Sequence, residues 1–414
     1  MSAKRPAEVK NMSEYRLKDI YVKLVSVSVF EKVLEKPIFK SFFRYMKERA
    51  TDEEKIRNYS AFVSLIYDGG ADLSRIVAGD VFEDENIYVK SIAQKKALNE
   101  KIVASVKREL EIFSEFASLT PEDFKSDIGA EIAIADFDSG SVDISREYKE
   151  RLENISSYGY GIFSSNPMFR ISKSGEAEPI CEADKISLDD FIGYEAERGE
   201  VIKNTKSFVD GYPAANVLLY GDAGTGKSST VKAVANAFYK DGVRLIELRK
   251  DQLFLLPEVM DKIGGNPLKF IIFIDDLSFE KSDDNFNMLK AALEGSATCK
   301  AENAVIYATS NRRHIVRETF SDRDGDDVHR NDTVQEALSL SERFGLTVSF
   351  YKPDKKLYLK IVSDLAKKNG IEKSEAELDT RAEAFALKRG YRSARCAEQF
   401  IESLMQEKTE VSDK

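Results

Sequence analysis

Apolar residues recur at helical spacing through the first 130 positions. From about Glu14 to Arg49 they fall at Leu17, Ile20, Tyr21 and Leu24, then at Val29, Phe30, Val33 and Leu34. That spacing predicts helix, broken or kinked at Pro37. A second helix is predicted from about Glu53 to Tyr67, ending at Gly69-Gly70, and a third, long and charged, from about Asn86 to Phe116. In SLTPED, Ser118 to Asp123, Thr120 reads as an N-cap and Pro121 as the first residue of a further helix. The pattern weakens from Gly129 to about Asp184. AEIAIADFDSG alternates briefly and ends in turn residues. YGYGIFSSNPMFRIS, Tyr158 to Ser172, reads equally as a short hairpin or a peptide-binding loop. SKSGEAEP, Ser172 to Pro179, has the composition of a linker.

After Leu188 the pattern changes. Short apolar runs at Val217–Tyr220, Val243–Leu248, Phe270–Ile274, Ala304–Ala308 and Thr347–Tyr351 alternate with amphipathic stretches. Connections of that length fit crossover helices, which predicts a five-stranded parallel sheet covered on both faces. Beyond Pro353 three helices are predicted, at about Lys355–Lys368, Glu375–Lys388 and Ser393–Met405. The chain thus reads as three parts. Residues 1–180 form a mostly helical domain of unknown role, 181–352 an α/β domain, and 353–414 a helical appendage.

Composition narrows this only slightly. The 414 residues include 62 Lys+Arg and 72 Asp+Glu, a formal net charge of −10, which argues against a large non-specific nucleic-acid surface. The three cysteines, Cys181, Cys299 and Cys396, form no metal-type pair, and the two histidines, His314 and His329, are too few for a histidine-rich site. The start, MSAKRPAEVKNMSEYR, has no apolar signal-peptide core, and no run of about 18 apolar residues appears. The expectation is a cytoplasmic protein that does not enter the membrane.

The chemistry concentrates in Gly221-Asp222-Ala223-Gly224-Thr225-Gly226-Lys227-Ser228, followed by Ser229. It completes the pattern G-x-x-x-x-G-K-[ST], with a predicted strand before it and a helix after it. Glycines let backbone N–H groups turn toward phosphates, and the helix N-terminus adds a favourable field. Lys227 is expected to reach the β- and γ-phosphates of ATP, and Ser228 to ligate Mg2+. KFIIFIDD, Lys269 to Asp276, is an apolar strand ending in two carboxylates. Asp275 is expected to hold the metal and Asp276 to polarise the attacking water.

These motifs resemble the AAA+ superfamily. More closely, they resemble an uncharacterised bacterial family of ATP-binding proteins carried as a domain of unknown function. The stretches that carry the likeness are FIGYEAERGEVIKNTKSFVDGYPAANVLLYGDAGTGKSS, FIIFIDDLSFE, LKAALEG, VIYATSNRRH, LSLSERFGLTVSFY and RSARCAEQF, spanning about Leu188 to Met405. The first 150 or so residues carry no such motif. The resemblance implies a P-loop AAA+ core with a helical lid at 353–414. It makes Asn311 a sensor 1 residue, Arg343 an arginine finger reaching a neighbouring subunit's nucleotide, and Arg395 a sensor 2 arginine. It also sets Ile192, Gly193 and Tyr194 near the adenine. The ordinary alternatives are a strand-end turn for Asn311, a surface ion pair for Arg343, a solvated helix position for Arg395 and plain core for 192–194.

Two departures matter. Asp275-Asp276 stands where most AAA+ ATPases have Asp-Glu, which implies slow hydrolysis or help from Glu280. No aromatic-hydrophobic-glycine pore loop is present, since Phe254 lacks a following glycine. The acidic stretch Ser321 to Asp332 offers Asp322, Asp324 and Asp326 but does not complete a calcium loop. The expected activity is a Mg2+-dependent ATPase that acts as a homo-oligomer on an unknown protein or nucleic-acid partner. The rivals are a non-hydrolysing switch or scaffold, a DNA-associated loader or remodeller, and a small-molecule phosphotransferase.

Overall fold

The computed structural model describes residues 6–47, 51–128, 133–180, 186–278, 284–293, 301–311 and 342–412. The chain divides into two compact units: Met1–Ser165 with Gly265–Pro267, and Asn166–Gly264 with Leu268–Lys414.

The described part of the first unit holds α1 (Pro6–Val25), α2 (Pro37–Tyr45), α3 (Asp52–Asp68), α4 (Leu73–Phe82), α5 (Ile87–Ala93), α6 (Glu100–Ala117), α7 (Pro121–Ile128), α8 (Ile144–Glu153) and the single turn α9 (Ile155–Tyr158). Pro37 opens α2 at its first turn, so the break predicted there is a fresh helix start. The long helix expected over 86–116 is two helices. Lys95 adopts a left-handed φ of 53°, and the Asn99 side chain accepts from the Lys101 N–H at 2.9 Å to cap α6. α4 and α8 were not anticipated; α4 starts where the Asp72 carboxylate accepts from the Ser74 N–H at 2.9 Å. Phe39, Phe42, Phe62, Phe113, Phe116 and Phe124 are all fully buried and form the centre of the core. Phe42 meets Phe116 edge-on at 4.9 Å.

One buried charge holds the end of α1 in place. Glu109 of α6 has no exposed surface. Its carboxylate accepts from the N–H groups of Ser28 (3.1 Å), Val29 (2.9 Å) and Phe30 (3.1 Å), and from the Ser28 hydroxyl at 2.9 Å. These N–H groups follow the last turn of α1, where no helical acceptor serves them.

The second unit is built on a sheet of seven strands, not five. They are β1 (Met168–Ile171), β2 (Ala177–Pro179), β3 (Val217–Gly221), β4 (Val243–Glu247), β5 (Lys269–Ile274), β6 (Ala304–Ser310) and β7 (Leu346–Phe350). The order is β2-β1-β4-β5-β6-β3-β7. The five expected strands are present and mutually parallel. The two extra strands come from the stretch with weak pattern. β1 runs parallel to β4, and β2 folds back antiparallel on β1. Residues 172–179 are therefore the turn and second strand of an edge hairpin, not a linker. Gly175 supplies the turn with φ 82°, and its N–H donates to the Ser172 carbonyl at 3.2 Å. Accordingly the chain divides after Ser165 rather than at 180.

α10 (Glu195–Val209) and α11 (Lys227–Ala237) cover one face of the sheet, where Val201, Phe208, Val231 and Val234 pack on Val217, Leu219, Leu245 and Phe273. Leu218, Ile246 and Ile272, pointing the other way, are equally buried. α12 (Leu256–Ile263) and α13 (Asp284–Leu293) follow β4 and β5. The last three helices, α14 (Lys355–Lys368), α15 (Glu375–Arg389) and α16 (Ala394–Ser412), start close to where the periodicity put them. They share a core of Tyr358, Ile361, Val362, Leu378, Phe400 and Leu404, against which Ile192 packs. Among the described residues no helix is long and apolar enough to cross a membrane.

Candidate nucleotide-binding site

The strand after β3 in sequence, β4, lies three places away in the sheet, while β7 pairs on β3's other side. β3 therefore stands at a change of direction in the winding, and ligands of open α/β sheets bind at the C-terminal strand ends beside such points. The loop 221–226 leaves β3 at that end and feeds α11. Gly221 has φ 139°, and a Cβ there would lie 2.0 Å from the Phe350 carbonyl oxygen of β7. Gly224 and Gly226 also have left-handed φ values, 74° and 89°. Among the described residues, none accepts from the N–H groups of Ala223, Gly224, Thr225 or Gly226. Those donors, with the free N–H groups of the first turn of α11, form the kind of cradle an anion satisfies.

Lys227 is buried at the loop's centre. Its ammonium donates to the carbonyls of Gly221 (3.0 Å) and Asp222 (2.7 Å) and to Asn311 Oδ1 (3.1 Å). Burial holds its pKa below the ordinary lysine value; Asp222, Asp275 and Asp276 oppose that shift. A phosphate arriving at the loop would offset this desolvation with a close counter-charge.

The acidic end of β5 closes the other side. Ser228 Oγ donates to Asp275 Oδ1 at 2.6 Å, and the Thr309 hydroxyl of β6 donates to the same oxygen. Asp276 turns out of the strand with a left-handed φ of 49°. Its N–H donates to Thr309 Oγ1 at 3.0 Å, and its Oδ1 accepts from Asn311 Nδ2 at 2.8 Å. Asn311 thus bridges Lys227 and Asp276. A non-glycine residue held left-handed is strained, and such strain clusters at functional sites. A hydroxyl and a carboxylate oxygen 2.6 Å apart fit two adjacent positions of a magnesium octahedron. Among the described residues no group of three or more His, Cys, Asp or Glu forms a cage. Magnesium commonly completes its shell with water and substrate phosphates instead.

Beside the loop a cleft runs between the α/β core and the C-terminal helices. Ile192, Tyr194, Thr225, Gly226, Ile361 and Arg395 are among its lining residues. The Arg395 N–H donates to the Gly224 carbonyl at 3.3 Å, so α16 begins against the loop. The Tyr194 ring packs on Phe350 at 5.4 Å, and its hydroxyl donates to the Tyr351 carbonyl at 2.6 Å. Gly193, between Ile192 and Tyr194, has a left-handed φ of 79° and packs on Leu357, whose Cδ1 would lie 2.8 Å from a Cβ there. Lys368 of α14 pairs with Asp190 and holds that carboxylate below its usual range, tying the segment before α10 to the C-terminal helices.

Arg343 does not join this constellation within the chain. It is half-buried just before β7, which starts beside Val217, whereas the loop leaves beside Phe350. The four residue steps of strand between them amount to about 13 Å. Glu280, Asp322, Asp324, Asp326, His314, His329, Cys181 and Cys299 lie outside the described residues.

Thr309 was not anticipated from the sequence: its hydroxyl donates to the Asp275 carboxylate and accepts from the Asp276 N–H, so it orients the side chain of one and the backbone of the other. Its signal was its place one residue before the strand end of ATSN. Asp222, named with the phosphate loop, also makes contacts that its motif did not foretell: its carboxylate accepts from the Lys352 N–H at 2.8 Å, and its N–H donates to the Phe350 carbonyl at 3.0 Å. These bonds fasten the phosphate loop to the start of the connection into α14.

Residues 164–408, more than half of the chain, match the family described as Protein of unknown function (DUF815). The chain belongs to this family. No curated protein matches the DUF815 chain in sequence. Among solved structures it is similar to a DNA replication initiation factor, at 18% identity and a TM-score of 0.37, covering 54% of this chain and 64% of that one. It is also similar to the Thermotoga maritima RuvB Holliday junction branch migration motor, at 14% identity and a TM-score of 0.33, covering 53% and 72%. The DUF815 chain thus spans under two thirds of the length of the initiation factor.

Proposed function

We propose that this protein is a Mg2+-dependent ATPase of the AAA+ type, coupling nucleotide state to assembly or to a change of conformation. The observation that carries this reading is the convergence of Lys227, Ser228, Asp275, Asp276 and Asn311 at one strand-end corner through hydrogen bonds of 2.6 to 3.1 Å. The roles follow from that corner. The loop N–H groups and Lys227 hold the phosphates. Ser228 and Asp275 would hold magnesium, whose charge would supply electrostatic stabilisation to the phosphates. Asp276 accepts a proton from, or orients, the attacking water, with Asn311 fixing its carboxylate. The nucleoside then extends into the cleft past Ile192 and Tyr194, where Arg395 closes over it. Arg343, half-buried before the N-terminal end of β7 and so at the other end of the strands from the loop, serves a neighbouring copy, and the active form is a homo-oligomer. The partner is a protein or a nucleic acid; the acidic net charge disfavours a large non-specific nucleic-acid surface.

A second reading, a nucleotide switch with little turnover, has its own support. The Asp276 carboxylate is shorter than glutamate by one methylene and is already engaged by Asn311.

ATP hydrolysis followed across a range of protein concentrations separates the two. Specific activity is expected to rise with concentration and to fall by at least about a hundredfold in both Asp276→Ala and Arg343→Ala. Tight binding with turnover equal to that of Asp276→Ala would instead support the switch.

A further inference from the structure

The cleft contains a charged side chain that no role above has used. Arg198, one turn into α10, is only 7% exposed. Its guanidinium lies over the Phe191 ring at 5.2 Å, and Phe191 in turn lies beside Gly226, where an added Cβ would be 3.7 Å from the ring. The stack thus stands next to the start of α11 and lines the same cleft as Gly224, Thr225 and Ser229. Among the described residues, Arg198 makes no side-chain hydrogen bond and no ion pair. Glu195 and Glu197, on its own helix, favour its charge only at a distance, while burial lowers its pKa. From the other wall, α16 presents Arg395 and Glu398. Asp190, the remaining carboxylate at the cleft, is taken by Lys368.

A guanidinium carries five donors and no acceptor, and a buried one is costly unless something accepts from it. The phosphates have their own donors in the loop N–H groups and Lys227. What remains of the cleft has an apolar lining from Ile192, Tyr194, Ile361 and Leu365. Such a lining suits a flat ring, and a donor-only group in the cleft suits a ring that offers acceptors. Stacking on Phe191 fixes the plane of the fork, so little freedom remains to be lost on binding.

We propose that Arg198 is the residue through which the cleft recognises a purine base, donating from its guanidinium to a ring nitrogen or carbonyl oxygen of the nucleotide. This rests on the reading of the loop as a nucleotide site. It makes Arg198 a specificity residue that contributes to base affinity and not to phosphate affinity.

The test compares two ligands, magnesium-ATP and magnesium-tripolyphosphate, on the full chain by equilibrium binding. Tripolyphosphate occupies the loop alone. Arg198→Met is expected to weaken ATP binding by at least about tenfold and to leave tripolyphosphate binding unchanged, which also reports an intact fold. Arg198→Lys keeps the charge and stem but not the planar fork. It is expected to lose most of the same preference, and it carries the test if the methionine variant does not fold. Equal losses for both ligands, or no loss for either, overturn the proposal. Loss of both ligands in Lys227→Ala with both bound by wild type keeps the nucleotide-site reading standing whatever Arg198 does. Failure of wild type to bind either ligand removes that reading and this inference together.

Discussion

Alanine at Glu109 is expected to lower the stability of the first unit by about 3 to 5 kcal/mol, the usual cost of breaking a buried, fully bonded charged group. Its carboxylate is the acceptor for three consecutive N–H groups after α1. Removing it leaves them buried or half-buried without a partner. Glutamine keeps one accepting oxygen, so Glu109→Gln should cost less, about 1 to 3 kcal/mol. Arg108, at 3.7 Å, is more than half exposed and cannot take over the role of acceptor. Denaturant unfolding followed by circular dichroism reads both values. Equal stability of wild type and Glu109→Ala would show that water serves those N–H groups instead.

Gly221→Ala is expected to have the second largest effect, and to act on both stability and binding. The new Cβ would lie 2.0 Å from the Phe350 carbonyl oxygen and 2.6 Å from its carbon, both backbone atoms. Neither can move without parting β3 from β7. The Phe350 carbonyl also accepts from the Asp222 N–H, so the phosphate loop would shift with it. A loss of at least about 2 kcal/mol is expected, with strain at φ 139° adding to the clash. Nucleotide affinity should fall by at least about tenfold. Thermal unfolding and ATP titration of the variant check the two effects separately. A variant with unchanged Tm and affinity would mean that the junction of β3 and β7 is not what shapes the loop.

The α/β core was legible because each of its strands is a run of apolar residues bounded by turns. KFIIFI is buried from Phe270 onward, and no other element type accommodates such a short run so well. The edge hairpin was hidden for the opposite reason. β1 and β2 are four and three residues long, alternate weakly, and are joined by a Ser-Lys-Ser-Gly turn that reads as linker. Within the first unit, the break in the long charged helix depended on one left-handed lysine, Lys95, which no propensity scale anticipates. The phosphate loop, Asp275 and Asp276 were visible because their spacing from strand ends is fixed by the chemistry, and Asn311 through the resemblance of ATSNRRH to the family's motif. Arg198 was not. It sits in EAERGEVIK, where a charged residue at helical spacing looks like a solvated face, and only the packing of Phe191 against it reveals the burial. Arg343 was legible through the family resemblance, but the role proposed for it needs a second copy of the chain, which a single sequence does not describe.

The most direct test of the account is calorimetric binding of ATP with and without magnesium, to wild type and to Lys227→Ala. Saturable binding by wild type is expected, strengthened by magnesium through Ser228 and Asp275, with a loss of at least about a hundredfold in Lys227→Ala. Equal binding by the two proteins, or affinity indifferent to magnesium, would contradict it.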